Sequence, residues 1–153
     1  LVIASDLLKK NLRLYLNEFR LMSDSLDILD AKIINFRIKY RVLIDPSYNK
    51  SGVLQKINSS ISKSMKLSNF QIGQPIIKDD IRNSIINQEG VISLVTLIFE
   101  TVQGNNSGKF AGRNYSTNQH DFSSTELNGV YVPPIGGLFE LKYPSADILG
   151  ASV

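Results

Sequence analysis

Gly104-Asn105-Asn106-Ser107-Gly108-Lys109-Phe110 is the first stretch of this chain whose residue types could do chemistry. Glycine-rich loops ending in lysine cradle phosphates through backbone N–H groups. The spacing departs from that requirement twice. Three residues separate the glycines where four are needed, and Phe110 stands where a Ser or Thr would hold magnesium. No helix signal follows to add a dipole, and a flexible loop accounts for the same composition. His120-Asp121 is a dipeptide that metal-dependent phosphohydrolases use, but this is the single His of the chain and it sits in polar sequence. Such metal sites need further His and Asp ligands, so a solvated loop histidine is expected. Ser123, Ser124 and Thr125 supply hydroxyls with nothing beside them to activate one, and no Gly-x-Ser-x-Gly elbow exists. Glu100, Glu126 and Glu140 are too scattered to nominate as an acid/base pair. Asp24, Asp27 and Asp30 recur every third residue without the central Gly and closing Glu of a calcium loop, so solvated carboxylates are expected there. No catalytic, cofactor-binding or metal-binding residue is assigned, no cofactor is expected, and the chain is expected not to be an enzyme.

Cation chemistry is the remaining possibility. Arg37, Lys39 and Arg41 alternate along one stretch and form a basic row. A sheet that binds RNA also presents aromatics on its open face to stack bases. Here Phe36 and Tyr40 alternate with the cations and so point the other way. A solvated face, or an interface with an acidic protein patch, is the preferred reading, and a nucleic-acid-binding α+β module is the alternative. Composition agrees: 17 basic against 14 acidic residues give a net charge of +3, mild for a dedicated nucleic-acid binder. Cysteine is absent, which excludes disulfides, thiolate nucleophiles and Cys-based zinc sites. No apolar run approaches the roughly 20 residues of a membrane span, so no membrane partner is expected. The chain opens on Leu1 and enters a helical pattern at once, which suggests a piece of a longer protein.

The elements that must position these residues are legible from periodicity. Ile34, Phe36, Ile38, Tyr40, Val42 and Ile44 alternate with polar residues, predicting a strand over 33–44 with one dry face. A shift of one residue would bury the cations, so its register is set. Leu8, Leu12, Tyr15, Leu16 and Phe19 fall on one face of a helix over about 5–21, capped by Ser5. Asn49 can cap a second helix carrying Val53, Leu54, Ile57, Ile61 and Met65. Phe70, Ile72 and Ile76 read as a short connector or edge strand. Ile77, Ile81 and Ile85 step by four into a third helix over 78–88, and Gly90 suits a left-handed cap. Val91 to Val102 is nearly apolar throughout, which suits a central strand. Residues 103–129 are a polar loop with isolated Phe110, Tyr115 and Phe122. A short strand over 129–133 follows, then Pro133-Pro134, Gly136-Gly137 and an apolar tail of Leu138, Phe139, Leu141 and Tyr143.

Several stretches together resemble one family. They are Leu14-Tyr15-Leu16-Asn17-Glu18-Phe19-Arg20, the strand end Val42-Leu43-Ile44, and Tyr48-Asn49-Lys50 opening an Ile-rich helix. Phe70-Gln71-Ile72-Gly73-Gln74-Pro75-Ile76-Ile77 leading to Glu89-Gly90-Val91 adds to them. So does the ending Phe139-Glu140-Leu141-Lys142-Tyr143-Pro144 with Asp147-Ile148-Leu149-Gly150. In these the chain resembles the C-terminal part of the baseplate J-like wedge subunit of contractile-tailed phages. The resemblance implies a structural virion protein of the tail baseplate without enzymatic activity, made in the host cytoplasm. It implies a homodimer or ring of the same subunit, contacts with other wedge proteins and the sheath-initiating protein, and a part in relaying baseplate rearrangement to sheath contraction.

The expected fold is therefore α+β: a small antiparallel or mixed sheet of 33–44, 91–102 and 129–133, with two helices on one face, a ferredoxin-like variant. Three regions are expected: an N-terminal helix and linker over 1–30, a core over 31–102, and a loop arm, short strand and extended tail over 103–153. Arm and tail are expected to order against a partner chain. The interface candidates are Leu12, Tyr15, Phe19, Phe110, Tyr115, Leu138, Phe139, Leu141 and Tyr143.

Overall fold

The computed structural model describes residues 1, 4–19, 25–104 and 112–153. The chain forms two compact units, Leu1–Ala31 and Lys32–Val153. The first holds helix α1 (Asp6–Asn17). Ser5 caps it, its side chain accepting a hydrogen bond from the Leu8 N–H at 3.3 Å. The segment after α1 returns along the helix: Asp30 pairs with Lys9, and Asp27 lies 3.7 Å from Arg13. Both carboxylates are exposed, as expected of solvated side chains, and each also has a cation of α1 nearby; Asp24 lies outside the described residues.

The second unit is α+β. Strand β1 (Lys32–Ile44) runs through the middle of the main sheet. Helix α2 (Lys50–Ser64) follows it, with Asn49 Oδ1 accepting from the Ser51 and Gly52 N–H groups. A two-residue strand β2 (Ile76–Ile77) leads into α3 (Lys78–Ile86), and strand β3 (Val91–Thr101) comes next. Short strands β4 (Glu126–Leu127) and β5 (Val130–Tyr131) then precede β6 (Gly137–Glu140), one helical turn α4 (Pro144–Asp147) and β7 (Ile148–Ser152).

β3 pairs antiparallel with one side of β1. On the other side β6 runs parallel beside Lys32–Asn35, and β7 runs parallel beside Ile38–Val42. They act as one strand interrupted by α4. Two expectations are corrected here. The strand near 129–133 is not in the main sheet; β5 sits between β2 and β4 in a separate small sheet. Residues 103–153 are not a separate arm either, because β6 and β7 complete the main sheet.

β3 is also not a central strand. Among the described residues its only strand partner is β1. Two register shifts, between Arg41 and Val42 and between Leu43 and Ile44, insert an extra β3 residue each time. Bulges of this kind turn consecutive side chains to the same side. The bulged Ile92 and Val95 consequently stand about half exposed, as does Ile98, which faces outward in regular register opposite Lys39.

One core lies under the inner face of β1. Ile34, Phe36, Ile38, Tyr40, Val42 and Ile44 are all buried there. Val53, Ile57 and Ile61 of α2, and Ile81 and Ile85 of α3, cover one end of this face. Aromatics close the other end: Phe122 lies 5.9 Å from Phe36, 6.0 Å from Phe99, 5.4 Å from Phe139 and 5.2 Å from Tyr131, centroid to centroid. Such pairs stabilise by about 0.5–1.5 kcal/mol beyond the area they bury. The Tyr40 hydroxyl donates to Asn58 Oδ1 at 2.6 Å, and burial pushes its pKa well above the usual phenol value. Gly90, expected as a helix cap, has φ +88° and forms the turn before β3, where a Cβ would meet the Tyr48 ring at 2.9 Å.

Candidate interaction surfaces

The outer face of β1 is two different places. At its Asn35 end the loop over 113–118 lies across it. Asn35 Nδ2 donates to Glu140 Oε2 at 2.9 Å, and Asn35 Oδ1 accepts from the Ser116 N–H at 2.7 Å. Asn118 Nδ2 donates to the Ile33 carbonyl at 2.9 Å. Beside them the Tyr115 hydroxyl donates to Asp147 Oδ1 at 2.7 Å, and the Tyr143 N–H donates to Oδ2 at 3.0 Å. Burial raises the Asp147 pKa, while these two hydrogen bonds and the charges of Arg37 and Arg113 pull it down. Burial, with the Asp147 hydrogen bond second, carries the Tyr115 hydroxyl to about 12. Asn35, Glu140 and Asp147 are the buried polar side chains of the described structure, and buried polar groups persist only when paired. This network is a structural lock that holds the loop and the tail to the sheet. The expectation of a wholly wet face is corrected at this end.

The other end of the same face is open. Lys39 is paired with Glu100 at 2.6 Å, so the expected basic row is not a uniform stripe; Arg41 is its one exposed cation. Around Arg41 stand Leu43 of β1, Ile92, Val95 and Ile98 of β3, and Leu149 of β7, each 37–55% exposed. Registry sets Leu149 and Ile98 on either side of Lys39, and Ala151 and Thr96 on either side of Arg41. Beyond the β3 edge lies an open groove of about 440 Å³, lined by Lys78 and Arg82 of α3, Leu94 to Leu97, and Glu126. Lys78 and Glu126 are paired at 2.8 Å, and each shifts the other toward its charged form.

The residues singled out for chemistry are spread apart. His120 is half-buried, not solvated: its ring stacks edge-on against Phe122 at 4.8 Å and Phe139 at 5.1 Å, with Thr125 Oγ1 2.9 Å from Nε2. Burial lowers its pKa. Ser123 and Ser124 are turned to Asp121, whose Oδ1 accepts from the Ser123 hydroxyl at 2.6 Å and the Ser123 N–H at 2.9 Å. Glu100 pairs with Lys39, Glu126 with Lys78, and Glu140 with Asn35. Among the described residues no three His, Asp or Glu side chains group to hold a metal, and no helix is long and apolar enough to cross a membrane. Apart from Gly104, the glycine-rich loop, Phe110 included, lies outside the described residues.

Asp121 gives a prediction in acid. Its hydrogen bonds from Ser123 hold its pKa at about 2 against an ordinary 3.8. A depressed carboxylate contributes stability above its unfolded value and loses it as pH falls through its folded value. Asp121→Ala is therefore expected to flatten the loss of thermal stability between pH 3.8 and about 2, as read by melting curves across that window.

Of the interface candidates, Tyr115, Leu138, Phe139 and Leu141 are buried within the chain itself. Tyr143 is half-buried with its ring edge-on to Tyr115 at 5.4 Å. The tail is therefore corrected from a partner-facing arm to part of the core. Leu12, Tyr15 and Phe19 of the α1 unit are 43%, 61% and 70% exposed, and Leu7, Leu8 and Leu14, which were not among the interface candidates, are all above one-half exposed. Sequence reasoning missed the open sheet end, whose signal was the spacing by three of Ile92, Val95 and Ile98.

No protein-family model matches the chain, and no curated protein does.

Proposed function

We propose that this chain is a structural component of a contractile-tail baseplate wedge, working through protein–protein interfaces. Its motif segments resemble the J-like wedge subunit, and its surfaces suit such a role. The observation that carries the reading is α1, an amphipathic helix with no buried residue. A 12-residue helix is below the length that persists alone in water, so its apolar side chains call for a covering surface. Ile135, fully exposed at the tip of the Pro-Pro/Gly-Gly turn, and the open end of the sheet are further apolar surface of this kind. An assembly subunit needs such faces more than a concave polar pocket. The paired state of Lys39 favours a protein partner over nucleic acid, which gains most from unneutralised cations. In this reading the chain resides in the virion baseplate, joining wedges around the hub with copies of itself, other wedge proteins and the sheath-initiating protein. Light scattering on the chain mixed with candidate wedge proteins tests it. A complex heavier than either component is expected, and a chain that stays monomeric and binds none of them would overturn the assignment.

A further inference from the structure

The outer edge of β3 is strand backbone without a partner. Among the described residues β3 pairs with β1 alone. The register fixes which of its backbone groups look outward. The Val102 N–H donates to the Asn35 carbonyl at 2.9 Å, and these two residues continue the register that sets Phe36 opposite Thr101. Opposite residues of an antiparallel pair alternate between hydrogen-bonded and non-hydrogen-bonded. Glu100, Ile98 and Thr96 therefore bond to β1, while Phe99 and Leu97 turn their N–H and C=O groups to the free edge. Among the described residues no hydrogen bond reaches those four groups. Phe99 is nevertheless only 5% exposed, and backbone groups in such a place are nearly always paired.

A groove follows this edge. The open cavity of about 440 Å³ beside Leu94 to Leu97 adjoins another of about 200 Å³ beside Leu97 to Phe99, and both are lined by Lys78 and Glu126. Arg82 of α3 walls one end, and Phe122 and Tyr131 wall the other. The groove stops near Thr101, whose hydroxyl donates to the His120 carbonyl. Its charges balance, Lys78 and Arg82 against Asp79 and Glu126.

We propose that this edge binds an extended, uncharged segment of a partner protein, which joins the main sheet as a strand beside Leu97 and Phe99. The inference rests on the assembly reading above, to which it adds a docking mode. An extended backbone is the ligand that offers donors and acceptors at the spacing of a strand. Its alternate side chains point to opposite faces. One set enters the groove, and the other continues the outer face of Val95 and Ile98, so apolar and hydroxyl side chains suit both. The balanced groove gives a charged segment no advantage. The bulges at Ile92 and Val95 blunt the edge on that side, so regular pairing starts at Thr96 and fits a short segment.

Amide hydrogen exchange on the full 153-residue chain, read residue by residue by NMR, tests this. The probe is a capped hexapeptide of alternating Thr and Val, added to about 1 mM. Exchange at Leu97 is expected to slow by about tenfold or more, while Ile98, already bonded to β1, is unchanged. The same peptide N-methylated throughout cannot pair as a strand and should leave Leu97 as it was. Slowing by both peptides overturns the proposal, because apolar adhesion would then account for it. A Leu97 amide already slow in the free chain also overturns it. Slowness that grows with chain concentration would give the edge to a second copy, and slowness independent of concentration would give it to the chain itself. No slowing by either peptide overturns this proposal alone and leaves standing any wedge complex seen by light scattering. Slowing by the unmodified peptide alone, with no such complex, sustains the edge site and overturns the wedge assignment.

Discussion

Phe122→Ala is expected to cost about 3–5 kcal/mol of folding stability, the usual penalty for emptying a buried aromatic site. Phe122 comes from the most polar stretch of the chain, yet it is only 4% exposed. It touches rings from β1, β3, β5 and β6 within 6.0 Å. Removing it leaves those rings without partners on one side, and the rigid sheet around them can collapse only partly. A side chain on a solvated arm would instead change stability by about 0.5 kcal/mol or less. Urea titration separates the two outcomes, because the denaturation midpoint should fall with the slope unchanged. A midpoint within error of wild type would mean that the 112–122 segment is not part of the core.

Gly150→Ala is expected to be the most damaging single-methyl addition among the described glycines. Gly150 is paired with Tyr40 across β1 and β7. A Cβ there would come within 2.3 Å of the Tyr40 ring and hydroxyl, a separation no pair of non-bonded atoms tolerates. Tyr40 cannot swing away cheaply: it is 1% exposed and its hydroxyl is anchored on Asn58. Overpacking a tight core costs about 1–3 kcal/mol, more where the neighbour is fixed. β7 can relieve the clash only by leaving β1. Hydrogen exchange should therefore show the amides of Ile148–Ser152 losing protection first. Pairing Gly150→Ala with Tyr40→Phe, which removes the hydroxyl but keeps the ring, should recover only part of the loss. Full recovery would locate the conflict in the hydroxyl alone.

These two sites also mark where the sequence was readable. β1 was legible because its alternation is strict and each misregister would bury a cation. The Asn49 cap and the Ile81/Ile85 step were legible because they are local. Phe122 was not, since a lone aromatic in Ser- and Asn-rich sequence has no periodicity to report its burial. β7 was missed because Gly150, Ala151 and Ser152 have weak strand preference; its pairing comes from tertiary contact with β1. β3 was misread for a different reason. Its two bulges break the period of two, so an edge strand with outward Ile92, Val95 and Ile98 carries the same apolar run as a buried central one. Ion pairs such as Asp30 with Lys9 join residues that only the folded chain brings together. Of the candidate surfaces, the α1 ridge was visible as an amphipathic pattern, while the open sheet end required the strand order.

The interrupted strand formed by β6 and β7 fixes when this domain can become complete. Asn35 and Glu140 meet across 105 residues of chain, and β7 lies farther still toward the C-terminus. During synthesis β1 emerges early and gains β3 on one side, but its other side has no partner until residues 137–152 follow. For that interval a long alternating strand presents an unpaired edge, the situation in which nascent chains aggregate. Pairings over such sequence separations also form slowly. A synonymous slowing of translation before residue 137 would lengthen the exposure and lower soluble yield, while the mature sequence and its final stability stay the same.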